Sequence, residues 1–270
     1  MAKRINPGPV LAVVFLGVAG VLAWKYYPRE APAPAPVAQP AAPPAAEPAP
    51  PPEQYPIEAV PVVPEEASEP LPALEDSDPV AWAALSALLE GGDLAQWLLP
   101  AHLVQRLVTT IDALPRRDIT RQVYAARPIA GELVVSEAAG TRYLDAANFA
   151  RYDAAVAVFE RIDPRALVSA YVRLYPLFEQ AWREIGPPGR RFNDRLVEVI
   201  DHLLAAPAVQ GPIALVPAEG RPRWEFADPR LEQASIGHKA LWRMGPDHAT
   251  RVKAKLAQLR ELLAAQRPAA

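Results

Sequence analysis

The chain of 270 residues contains no cysteine. That absence excludes a disulfide framework, a thiol nucleophile, a zinc–thiolate site and an iron–sulfur cluster together. Histidine is scarce as well: the four residues His102, His202, His238 and His248 form no HExxH or HxH pattern, so the sequence offers no metal centre. There is no Walker loop, no GxGxxG, and among six serines no GxSxG or SxxK, which removes the familiar nucleotide-binding and serine-hydrolase signatures. No cofactor is expected. Basic charge is missing from one long stretch, because Glu30 to Asp78 holds ten acids and no Lys or Arg. From residue 79 onward 24 basic and 21 acidic residues nearly balance. A nucleic-acid-binding domain usually carries a net basic surface, so this balance argues against a nucleic acid as partner.

Proline is abundant instead, with 33 residues, of which sixteen fall between Pro28 and Pro72. Each proline removes a backbone donor and fixes φ, so the Ala-Pro repeats of residues 28–72 predict an extended, acidic, unstructured spacer. At about 3.1 Å per residue such a spacer reaches on the order of 140 Å. Ahead of it, Lys3 and Arg4 precede an uninterrupted apolar run from Val10 to Trp24, followed by Tyr26 and Tyr27. Residues 9–27 fit a single transmembrane anchor, since 19 residues of helix span about 28 Å and the aromatic residues suit an interface. The charge distribution places residues 1–8 in the cytoplasm and the chain beyond the anchor outside it. A cleavable signal peptide ending near Val21-Leu22-Ala23 is the competing reading. The expected location is therefore a membrane, with residues 73–270 forming a globular domain outside the cytoplasm.

That domain reads as mainly α, with one or two short β-hairpins. Pro79, Pro164 and Pro229 each stand at a first helical position, behind an N-cap at Ser77 or Asp78, at Asp163 and at Asp228. Leu167, Tyr171, Leu174, Tyr175, Phe178 and Trp182 recur at spacings of three and four, which places them on one helix face directed at a core. Pro176 interrupts the same pattern and predicts a kink. Hairpin turns are expected near Ala139-Gly140 and Glu219-Gly220. After Gly245-Pro246-Asp247 a terminal helix carries Val252, Leu256, Leu259 and Leu263 toward the domain.

Several segments, in order, carry a resemblance: NFARYDAAV, LYPLFEQAWREIG, FNDRLVEVIDHLLAAP and WEFADPRLEQASIGHKALWRMGPDHA. Over roughly residues 71–265 the chain resembles the bacterial family called domain of unknown function 3014. The resemblance implies a membrane-anchored envelope protein with a proline-rich spacer and transfers no activity. His238 and His248 stand where the family's pattern suggests Gln and Asn, so neither histidine carries over as a family residue.

Charged residues within these motifs are the candidates for a binding surface: Arg151, Asp153, Asp228, Glu232, Lys239 and Arg243. The opposing reading makes them internal ion pairs that lock helix ends together. The functional expectation is a non-enzymatic binding or scaffolding module, tethered in the envelope, whose partner is an envelope protein or the cell wall. Two alternatives remain open here. Glu225, Asp228 and Glu232 could supply the paired carboxylates of a wall hydrolase, and RMGPDHATRVKAKL vaguely resembles half of a helix-hairpin-helix module that holds a DNA phosphate.

Overall fold

The computed structural model describes residues 54–61, 70–89, 92–118, 124–220 and 223–265. The anchor expected at 9–27 lies outside the described residues, as does the spacer up to residue 53. Among the described residues no helix is long and apolar enough to cross a membrane. The described fold includes residues 54–61, within the stretch that composition assigns to the spacer.

Eight α-helices and a small sheet build the described domain: α1 (Asp78–Ala87), α2 (Leu103–Ala113), β1 (Val135–Ala138), β2 (Thr141–Leu144), α3 (Asp153–Arg161), α4 (Pro164–Ile185), α5 (Phe192–Leu204), β3 (Ala214–Pro217), β4 (Trp224–Phe226), α6 (Pro229–Glu232), α7 (Ile236–Arg243) and α8 (Pro246–Ala264). Helix α4 supplies the main core. Its aromatic face packs as the spacing requires, with Phe178 stacked on Phe192 at 5.7 Å and Tyr171 edge-on to Tyr175 and Phe178. Phe192 is wholly buried, and truncating such a ring costs about 3–5 kcal/mol. The helix runs on through Pro176 as one element.

Helix ends in this domain are closed by charged side chains from neighbouring elements, because the first amides and last carbonyls of a helix have no partner within it. Asp78 accepts from the amides of His102 and Leu103, both at 2.7 Å, and so caps α2 from α1. Glu179 of α4 accepts the Phe192 amide at 2.9 Å and caps α5. Two lysines of α8 close the C-terminal ends of two earlier helices. Lys253 donates to the carbonyls of Leu204 and Ala206 at the end of α5, and Lys255 to those of Glu160 and Ile162 at the end of α3. Lys255 is buried, which shows where the basic residues of the terminal helix are spent: on structure rather than on a solvated face.

Residues 54–60 fall within the stretch expected to be spacer, yet they form a strap across α4, α5 and α8. Asp194 accepts the Tyr55 amide, and Asn193 donates to the Tyr55 carbonyl at 2.8 Å. Val60 is buried at 1% exposure against Val197, Leu259 and Leu263. Proline-rich composition hides this strap, since Tyr55, Ile57 and Val60 lie too close to Pro56 and Pro61 to show any period.

The two hairpins join. Four antiparallel strands lie in the order β1-β2-β3-β4. Ala139 and Gly140 form a two-residue turn with φ of 51° and 77°, the left-handed pair that matches strand twist. Arg142 and Tyr143 pair with Leu215 and Ala214, which fuses the two hairpins across some seventy residues of chain. One sheet face carries Leu144, Leu215 and Phe226 into a core with Trp242. The other carries Ser136, Ala138, Tyr143, Ala214 and Val216, the last 42% exposed.

Candidate functional site

That second sheet face forms one wall of a cleft of about 900 Å³. The loop following α5, from Ala206 to Ile213, forms a second wall, and the region where α7 turns into α8 forms the third. Tyr143, Phe149, Val209, Ile213, Leu241 and Trp242 make the lining predominantly apolar. Gly245 is required at this turn. Its φ of 90° and ψ of 161° suit glycine alone, and a β-carbon there would meet the Phe149 ring at 2.6 Å.

The charged lining is already engaged. Asp145 accepts the Ala147 amide at 2.8 Å as the N-cap of a short 3-10 helix, Ala146–Tyr152. Lys253 is committed to the carbonyls after α5. The lining therefore holds one carboxylate rather than a pair.

The six residues singled out from the sequence fall into three places. Arg151 clamps a loop: its guanidinium donates to the carbonyls of Ala130 at 3.0 Å and Gly131 at 2.7 Å and to Asn148 at 3.2 Å. Asp153 lies 2.9 Å from Nε2 of His248, whose Nδ1 lies 2.8 Å from the Met244 carbonyl. The other four surround the edge strand β4. Asp228 caps α6 through the Arg230 amide at 2.8 Å. Glu232 accepts the Phe226 amide at 3.0 Å and pairs with Lys239 at 3.1 Å. Arg243 lies over the Phe226 ring at 4.9 Å, an arrangement worth about 0.5–1 kcal/mol at an exposed site. None of the six lines the cleft. Sequence reasoning missed the cleft because its walls come from four segments that lie apart in the chain and meet only in the fold, while the charged residues within the distinctive motifs lie outside it.

Two of the histidines pair. His238 stacks on His202 at 4.2 Å between ring centres, with an interplanar angle of 9°. Ser235 accepts the His238 amide at 3.2 Å and lies 2.8 Å from Nε2 of His202. Burial, with the charges of His238 and Arg195 beside it, holds the His202 pKa below the ordinary imidazole value. Among the described residues no three His, Asp or Glu side chains gather as a metal site. Glu225, a candidate catalytic acid, pairs with Arg223 at 2.6 Å, outside the cleft. At the turn into α8, Phe149 packs on Gly245 and Asp247 brings a negative charge to the first turn, an arrangement unsuited to a DNA phosphate.

No curated protein and no solved structure matches the chain. The sequence model described as protein of unknown function (DUF3014) matches residues 103–260, which contain the whole sheet, the cleft lining and most of the helical core. By that match over more than half of its length, the chain belongs to the DUF3014 family.

Proposed function

We propose that the protein is a binding module of the bacterial envelope, held at the inner membrane by residues 9–27 and extended from it by the proline-rich spacer, and that it captures its partner in the cleft. The observation that carries this reading is the chemistry of the lining: apolar and aromatic side chains surround a space of about 900 Å³, while Asp145 and Lys253 are spent on helix ends. Such a site gains affinity from desolvation and shape, with few polar groups to set orientation. Hydrolysis by paired carboxylates needs two acids about 5–10 Å apart across a substrate, and the cleft lining supplies one.

The test is site-specific photocrosslinking in cells. p-Benzoylphenylalanine placed at Ala208, an exposed residue of the lining, is compared with the same probe at Glu184, which is exposed and outside the lining. One envelope component joined only from position 208 is the expected result. Equal labelling from both positions, or none from either, would overturn the proposal. Release of cut wall fragments by the purified protein would instead restore the hydrolase.

A further inference from the structure

The sheet has two edges, and they are treated differently. At the β4 edge the outward amide of Phe226 is taken by the Glu232 carboxylate, which is itself held by Lys239. An added strand meets a plugged edge there. The β1 edge is open, and its geometry is set by register. Asp145 donates its amide to Val134 at 3.2 Å, directly opposite it, so Val134, Ser136 and Ala138 direct their main-chain groups toward β2. Val135 and Glu137 therefore direct theirs away from β2. Among the described residues no hydrogen bond from those outward groups is found. Natural sheets commonly protect such an edge, and Glu232 shows the device in use on the other side of this same sheet.

The open edge also adjoins the cleft. Ser136 and Ala138 of β1 are part of the cleft lining, and Val134 beside them is 45% exposed. On the opposite face Glu137, largely exposed, pairs loosely with Arg142 at 3.5 Å. A strand placed about 4.8 Å beyond β1 would set alternate side chains at the rim of the cleft and the intervening ones beside Glu137 and Arg142.

We infer that the partner enters as an extended segment that pairs with β1, with apolar side chains at alternate positions toward the cleft and polar or charged ones toward Glu137 and Arg142. This inference rests on the cleft being the binding site. Main-chain pairing at Val135 and Glu137 supplies affinity, and the apolar lining selects among extended sequences.

The test uses the full-length protein in lipid nanodiscs and a displayed library of random dodecapeptides. Recovered peptides are expected to show apolar residues at every second position and to protect the Val135 and Glu137 amides from hydrogen exchange. Glu137→Pro removes an outward donor and obstructs the edge while sparing the β1–β2 ladder. It should weaken binding at least about tenfold, the equivalent of one or two lost hydrogen bonds, whereas Glu137→Gln should stay within about twofold. Ala138→Trp, at an exposed position of the lining, should weaken binding through the cleft and serves as a second variant if proline disturbs the hairpin. Peptides with apolar spacing of three and four, protection at β4, or no recovered peptide would each overturn the strand. If Glu137→Pro binds normally while Ala138→Trp does not, the strand fails and the cleft stands. If neither variant changes binding, both fail.

Discussion

Replacing Gly245 by alanine tests whether the cleft turn is built as described. Two terms add. The backbone at φ 90° and ψ 161° lies in a region open essentially to glycine, and forcing alanine into it costs about 1–3 kcal/mol. The new methyl carbon would sit 2.6–2.9 Å from three atoms of the Phe149 ring, and relieving such overpacking costs about 1–3 kcal/mol more. The expected loss is about 2–6 kcal/mol. Urea unfolding of the two proteins, monitored by circular dichroism, measures it: with a slope of about 2–3 kcal/mol/M for a domain of this size, the midpoint should fall by about 1–3 M. The double variant with Phe149→Ala separates the terms. It removes the clash and leaves the strain, so its total should fall short of the sum of the single losses by at least about 1 kcal/mol. A midpoint within about 0.2 M of wild type, or strict additivity, would refute the account of the turn.

Glu232→Ala should destabilise the domain by about 2–4 kcal/mol in the same unfolding assay, because it strips the partner from a mostly buried Lys239 and exposes the Phe226 amide. Asn193→Ala leaves the Tyr55 carbonyl without its donor and should cost about 1–3 kcal/mol, with faster proteolytic cutting at the strap than elsewhere as the specific sign. Stability should also depend on pH through His202. Its folded pKa is lowered, so the unfolded chain takes up the proton first; the contribution is complete above the unfolded value near 6.5 and declines as pH falls below it. Melting temperatures at pH 7.5 and 5.5 should therefore differ less in His202→Asn than in wild type, and equal differences would contradict the assignment.

Local signals in the sequence are readable where a single residue type dictates backbone geometry. Asp163-Pro164 and Asp228-Pro229 start α4 and α6, and Ala139-Gly140 turns the first hairpin at the expected place. The aromatic face of α4 is readable too, because one helix carries the entire pattern. What depends on distant partners is not. Nothing near Tyr143 announces that it pairs with Ala214, and the cleft exists only because that pairing brings the Ala206–Ile213 loop over the sheet. Arg151 illustrates the same limit: its charge suggests a surface, but its partners are main-chain carbonyls at 130 and 131, which side-chain pattern cannot reveal.

The meeting of the strap with α8 has a consequence for synthesis. Val60, near the start of the folded unit, is buried against Leu259 and Leu263 near its end, and Lys253 and Lys255 of α8 close two earlier helices. A chain made from its N-terminus therefore cannot complete this core until α8 has emerged. Fragments ending before residue 253 keep an apolar groove and two helix ends without these lysines, so they should be cut by proteases faster than chains that include α8.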